Sequence, residues 1–293
     1  MPARILRGRF VFAACLALAL TAGADAARTL PAEVSIFASV IDPAGNAITD
    51  LTTADFAIRE DDADREVVSA RLATQPMNVA LLIDTSTAAE VFVQEMRVGF
   101  KTFIQTALAS SPQSQLSLWE YGQAAVRIEN FTSDAEKLGR TAGRLFTKPR
   151  SGSVLLEALF DASQSLAGRP SPRRAIVAVN IEPGDEQSRR EPPQVNESLI
   201  FSRSQLWLVS VQKGQLAAEK RDLALNALVR NAGGRREFIV AASAIEGYMR
   251  QYAAALASQY EITYRRPSRS AKIVQTGVRR EGARVIAGLA APQ

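Results

Sequence analysis

The 293-residue sequence contains no histidine and a single cysteine. Without an imidazole, Ser-His-Asp and Cys-His nucleophile machinery is excluded. Zinc sites built on histidine or cysteine are excluded with it. Any metal would be a hard cation held by oxygens. Enzymatic routes narrow to carboxylate, lysine or Ser/Lys chemistry. No G-x-x-x-x-G-K or G-x-G-x-x-G follows an apolar strand, so no phosphate-cradling loop is expected. No Lys/Arg block interleaves with aromatic residues, so no nucleic-acid partner is expected.

The one cysteine, Cys15, lies inside a leader-like start. Arg4, Arg7 and Arg9 precede the apolar run FVFAACLALAL (Phe10 to Leu20), and TAGADAA follows with small residues suited to cleavage near Ala26 or Ala27. This run is shorter than the roughly 20 residues of a spanning helix. Residues 1–27 are therefore read as a signal peptide and the remainder as periplasmic or secreted, with no stable membrane span after cleavage. Lipidation at Cys15 through FAAC is the alternative, against which stands the short apolar stretch before it. The whole chain carries +5, but the leader holds three arginines against Asp25, so the rest is only about +3. Beyond the leader there is no thiol and no disulfide, which a chain of this length tolerates.

Residues 33–75 read as a small β-rich segment. EVSIFASVID alternates and ends in the turn Pro43-Ala44-Gly45-Asn46, Phe56 and Ile58 are apolar pegs, and VVSARLA is a further strand. Residues 76–264 read as an α/β domain. VALLI, PRRAIVAVN and QLWLVSVQ are continuous apolar runs of the kind found in parallel sheets covered on both faces. Helical patterns alternate with them. One carries Phe92, Met96, Phe100, Phe103 and Ala107 on a single side, one is capped by Thr132 or Ser133, and one stops at Gly233-Gly234. The polar segment Glu182 to Gln194 reads as the longest loop. Residues 265–293 read as short C-terminal strands and tail.

The stretch NVALLIDTSTAAEVF raises the question of function. An apolar strand ends on Asp84 and a row of hydroxyls, and open α/β sheets bind ligands at the carboxyl ends of their strands. Alternate residues at a strand end point the same way, so Asp84 and Ser86 converge. A purely local account also exists, because Asp, Ser and Thr are good N-caps.

Asp84-Thr85-Ser86 after such a strand resembles the start of a von Willebrand factor type A domain. The opening VSIFASVIDPAGNAITDLTTADFAIRED, the Gly-Gly of RNAGGRREF and the closing QYEITYRRP extend the likeness along nearly the whole chain, to the VWFA-related proteins of acidobacterial type. The resemblance implies an α/β fold with a mostly parallel sheet flanked by helices. It also implies a metal-ion-dependent adhesion site in which a bound Mg2+ or Mn2+ accepts a carboxylate from a partner protein. Position by position, Asp84 matches the family aspartate of D-x-S-x-S and Ser86 its first serine, while Ala88 replaces the second. Ser153, in Gly152-Ser153-Val154-Leu155, stands for the threonine of G-T-A-L. Asn180, Ile181 and Glu182 stand for T-D-G, which puts Ile181 where the second carboxylate belongs.

The resemblance thus carries over Asp84, Ser86 and Ser153 as a degenerate ligand set. No cofactor is expected, with Mg2+ or Mn2+ as the alternative, and Thr87, Glu182 and Asp185 are expected on a binding surface. The function expected is exported protein–protein interaction with an unidentified protein partner. The rivals are a hydrolase using Asp84 with Glu182 or Asp185, and a purely structural envelope component. Three other features receive plain structural readings. Trp119, Tyr121, Tyr248, Tyr252 and Tyr260 are read as packing on the sheet. Glu60-Asp61-Asp62-Ala63-Asp64 is read as a solvated turn, since it lacks the glycine and terminal glutamate of an EF-hand loop. Arg265, Arg266, Arg269 and Lys272 are read as an exposed hairpin flank.

Overall fold

Every residue of the strand Met77–Asp84 (β5) is buried. A strand with no polar face must be covered on both sides, and this one sits in the middle of a sheet with helices above and below. The computed structural model describes residues 32–182, 184–212, 219–267 and 272–291. The leader read at residues 1–27, and Arg269, lie outside them.

The main sheet has six strands. From one edge to the other they are Arg235–Ile239 (β10), Ser204–Gln212 (β9), Arg173–Glu182 (β8), β5, Gln115–Tyr121 (β6) and Ala125–Thr132 (β7). All pairs are parallel except β6 with β7, which the short turn at Gly122 makes antiparallel. Val93–Ser110 (α1), Ala135–Gly143 (α2) and Ile245–Ala257 (α6) cover one face. Their Phe100, Phe103, Leu138, Met249 and Tyr252 pack on Leu81, Ile83, Val177 and Ile181. Leu155–Ala167 (α3), Pro192–Ser202 (α4) and Glu219–Ala232 (α5) cover the other, where Leu159, Val195, Leu199 and Leu228 meet Ala80, Leu82, Ala178 and Leu208. A one-residue slip of β5 would exchange these two sets, so its register is strongly fixed.

The stripe on α1 is as the periodicity predicts: Met96, Phe100, Phe103 and Ala107 are buried and Phe92 is partly so. Helix α2 begins one residue later than expected. Its N-cap is Asp134, whose Oδ1 accepts from Lys137 N at 2.9 Å, rather than Thr132 or Ser133. Gly233 ends α5 at φ +74, and a side chain on Gly234 would collide with the Leu206 carbonyl oxygen at 1.6 Å. Trp119 and Tyr121 belong to the core, and the Tyr252 hydroxyl donates to Leu208 O at 2.8 Å. Tyr260 differs from expectation, for it packs on Phe56 in the second core described next rather than on the main sheet.

The chain ends build that second core together. Ala32–Ile41 (β1) pairs antiparallel with Tyr260–Arg266 (β11) and, further along, with Arg284–Ile286 (β13), while Val67–Leu72 (β4) pairs on the far side of β11. Phe56–Glu60 (β2) joins Ala63–Arg65 (β3) and Val274–Val278 (β12). Segments read separately at 33–75 and 265–293 are thus strands of shared sheets.

Two charge assignments change here. Glu60 is fully buried, not part of a solvated turn, and Arg266 is buried rather than on an exposed flank. Glu60 Oε1 accepts from Tyr264 Oη at 2.6 Å and from Arg266 Nε and Nη2 at 2.8 and 2.6 Å, and Oε2 accepts from Arg65 Nε at 3.2 Å. Alternation along β2 and β11 turns both ends of this pair inward, and only a fully hydrogen-bonded ion pair makes that burial tolerable. Burial raises the Glu60 carboxyl, but the hydrogen bonds of Arg266 and Tyr264 outweigh it and hold the group below its usual 4.5. Its contribution to stability is therefore present above about pH 4.5 and is lost as pH falls through the lowered value. Removing one partner strands the other, so Glu60→Gln is expected to cost roughly 3 kcal/mol in urea unfolding at pH 7. The deficit against wild type should shrink below pH 4. A neutral effect at pH 7 would show the pair to be dispensable.

Candidate functional site: three loops laced over Asp84

β5 delivers Asp84 to the carboxyl end of the sheet, and the chain then turns through Thr85 and Ser86 into a short 3-10 helix, Thr87–Phe92. Asp84 is 1% exposed, and Thr85, Ser86 and Ser153 are equally buried. Both of its oxygens are met by backbone. Oδ1 accepts from Ser86 N at 2.8 Å and Oδ2 from Ile181 N at 3.3 Å. The first of these is the local turn expected of an Asp-x-Ser sequence. The second comes from the neighbouring strand β8, not from the helix that follows Ser153.

Three loops close over this carboxylate. The 148–153 loop is tied to the Asp84 loop by Lys148 N to Thr85 O at 2.7 Å, Thr87 N to Ser151 O at 3.0 Å and Ser151 N to Thr87 Oγ1 at 3.0 Å. The segment after β8 is tied to the same loop by Ser153 N to Asp185 O and Gln187 N to Ser153 O, both 2.7 Å. It lies so close that a side chain on Gly152 would meet Gln187 Cδ at 2.4 Å and Asp185 O at 2.7 Å. A side chain on Gly122 would come within 3.0 Å of the Thr85 backbone.

The resemblance places a cation here, and the donor set can be judged on its atoms. Ser86 Oγ and Ser153 Oγ are buried with no hydrogen bond to the protein, as surviving ligand hydroxyls would be. Charge is what the set lacks. Ala88 offers no oxygen, and among the described residues no three acidic groups come together in a way that could hold a metal ion. The one carboxylate already bears two N–H donors. The residues present thus offer a divalent ion one carboxylate and two hydroxyls, short of the second carboxylate that the resemblance implies.

Strand parity accounts for the missing acid differently from the sequence register. Ile181 stands at the family's aspartate position, but its side chain enters the core on the α1 and α6 face. Its backbone N–H is what reaches Asp84. Its neighbours Asn180 and Glu182 point to the other face. Glu182, expected on a binding surface, is fully buried within β8 rather than in a loop. Its Oε1 accepts from Asn180 Nδ2 at 2.7 Å and pairs with Arg221 Nε at 3.3 Å and Arg236 Nη2 at 3.4 Å. Arg221 reaches on to Glu186 Oε2 at 3.1 Å, and Arg236 to Asp222 Oδ1 at 2.7 Å. Sequence reading missed both arginines. Nothing local in α5 or β10 marks them, because their partners come from β8 and its following loop.

Thr87 and Asp185 do reach the surface. With Arg150, Ser151 and Gln187 they line a shallow groove of about 330 Å3 above the buried carboxylate. Arg150 has a left-handed backbone (φ +56), is exposed, and has no ion pair among the described residues. Lys148 stands nearby, paired with Glu120 at 3.1 Å.

No protein-family model matches the sequence, and no curated protein does. Solved structures do match. A von Willebrand factor type A protein from Catenulispora acidiphila is 11% identical, with 90% of this chain and 75% of that one covered at a TM-score of 0.51. The open form of the pilus adhesin SpaC from Lactobacillus rhamnosus GG is 11% identical, covering 81% of this chain and 48% of that one at 0.50. Proximal thread matrix protein 1 from mussel byssus is 9% identical, covering 73% and 50% at 0.51. The α/β unit therefore has the von Willebrand factor A-type fold. The likeness is one of fold, and this chain spans about half the length of the adhesin and the byssus protein.

Burial drives the Asp84 carboxyl up from 3.8 to about 6, against hydrogen bonds from Ser86 and Ile181 and the charge of Arg221. The sign is the reverse of that for Glu60. Between the two values the folded protein holds the proton more tightly than the unfolded chain, so stability falls as pH rises toward 6 and stays lower above it. At about 1.36 kcal/mol per pH unit the difference amounts to roughly 3 kcal/mol. Asp84→Asn is expected to remove this dependence. Denaturant melts of wild type and variant between pH 4.5 and 7.5 should diverge as pH rises, with the variant gaining relative stability. Parallel curves would contradict the raised value.

Proposed function

We propose that this chain is an exported, non-catalytic protein–protein interaction module that binds through the groove above Asp84 without a bound cation. One observation carries the reading. An exposed arginine with no acidic partner among the described residues, Arg150, lies beside Thr87 and Ser151 over a carboxylate already held by backbone N–H groups. In the family's mechanism a cation receives the partner's carboxylate. Here a guanidinium offers positive charge, with a donor fork suited to a carboxylate.

Other features support the proposal. Arg4, Arg7 and Arg9 ahead of an apolar run and small residues direct export. Among the described residues no helix is long and apolar enough to cross a membrane. The absence of histidine removes the commonest general base. The hydrolase alternative is disfavoured by the commitment of Glu182 to two arginines and by the separation of exposed Asp185 from buried Asp84. One structural relative is a pilus adhesin, and a role in holding another protein is carried from it to this chain as part of the proposal.

The purified protein should show no rise in melting temperature with Mg2+, Mn2+ or Ca2+. Partners captured from a cell-envelope extract should be retained in EDTA and lost with Arg150→Glu, whose side chain is exposed and should leave the fold intact. Capture abolished by EDTA, or an Mn2+-induced stabilisation that disappears in Asp84→Ala, would overturn the reading in favour of a working cation site.

A further inference from the structure

At the opposite end of the sheet stand three arginines with no carboxylate partner among the described residues. Arg173 begins β8 and is 3% exposed. Its guanidinium donates only to neutral acceptors: Gln259 Oε1 at 3.2 Å, Gln75 O at 2.5 Å, and Leu256 O and Ala257 O at 2.6 and 3.2 Å. The last two are terminal carbonyls of α6, whose partial negative charge suits a cation. Arg174 donates from Nη1 to Ser202 O at 2.9 Å and from Nη2 to Arg169 O. Its Nε is buried and bonded to nothing. Arg203 follows at the end of α4, in a left-handed conformation (φ +53) and exposed. Among the described residues none of the three forms an ion pair with a carboxylate.

All three line one cavity of about 130 Å3, whose other walls include Ile36, Phe37 and Leu199. Burial and the neighbouring Arg203 charge both lower the Arg174 guanidinium, as unopposed like charges would. Helix-end carbonyls account for Arg173 and for two donors of Arg174. They leave Arg174 Nε without an acceptor, with the exposed guanidinium of Arg203 beside it. A buried polar group without a partner is costly.

We propose that this cavity binds a small organic carboxylate with a compact hydrocarbon body, its carboxylate taken by Arg174 Nε and Arg203. The size sets the body: a cavity near 150 Å3 accommodates benzene. The apolar walls favour a hydrocarbon over a bare inorganic anion. The site lies at the amino ends of β8 and β9, away from the groove over Asp84, and does not depend on the function proposed there.

The test is titration calorimetry on the full chain at constant ionic strength. The ligands are benzoate and hexanoate, with benzyl alcohol and inorganic phosphate as comparators. Benzoate or hexanoate is expected to bind the wild type, the preference between them reporting whether a ring or a chain fits. Arg203→Asn keeps a residue that tolerates the left-handed backbone and should weaken binding at least about tenfold, the loss of one charge-assisted contact. Arg203→Glu should abolish it. Both variants should melt as the wild type does, since Arg203 is exposed. Failure of both carboxylates to bind would overturn the proposal. So would equal binding by benzyl alcohol or phosphate, or affinity unchanged in Arg203→Asn.

Discussion

A carboxylate removed from water must be answered by donors or by charge, and the candidate site is organised around how that demand is met for Asp84. At 1% exposure its oxygens receive one backbone N–H each, from its own turn and from Ile181 on β8. These bonds offset part of the desolvation without cancelling it, which is why the carboxyl is pushed up to about 6. A single acid left in this condition is a weak anchor for a divalent ion and a sound anchor for a loop. The lacing of Thr85 to Lys148, Thr87 to Ser151 and Ser153 to the 185–187 segment follows from that anchor.

Charge elsewhere in the molecule is handled by the same rule with different outcomes. Glu182 and Glu60 are both fully buried, and each is paired with more than one arginine. Arg236 reaches Glu182, Asp222 and Ser210 at once, stitching β8, β9, α5 and β10 together on the face that carries Asp84. Arg221 fastens the loop over Ser153 to the helix beneath it through Glu182 and Glu186. Positive charge on this face is thus supplied by guanidinium groups. The arginines at the amino ends of β8 and β9 are the exception, having no acidic partner among the described residues.

What could be read from the sequence was whatever depends on neighbours along the chain. VALLI could only be a strand covered on both faces, the Phe100 and Phe103 stripe could only face a core, and Gly233-Gly234 could only end a helix. Asp84, Ser86 and Ser153 were singled out through the family resemblance, and all three are buried. What escaped depends on distant partners. Glu60 and Arg266 are 206 residues apart, and nothing in EDDADRE or YRRP records that they meet. Glu182 read as loop because Pro183-Gly184 follows it, yet strand pairing with β9 runs through to Gln212 and carries it inside. At Ile181 the sequence indicated a missing side chain. The geometry adds that a backbone N–H from that residue does the holding, a contribution no side-chain motif can reveal.

The organisation of this site rests on the protonation of one group. Carbon-13 NMR titration of the Asp84 side-chain carboxyl, assigned by comparison with Asp84→Asn, observes it directly. A midpoint near 6 that is unmoved by millimolar Mg2+ is the predicted result. A midpoint below 4, or one driven down when Mg2+ is added, would mean that the carboxylate is stabilised as an ion ligand and would contradict the account.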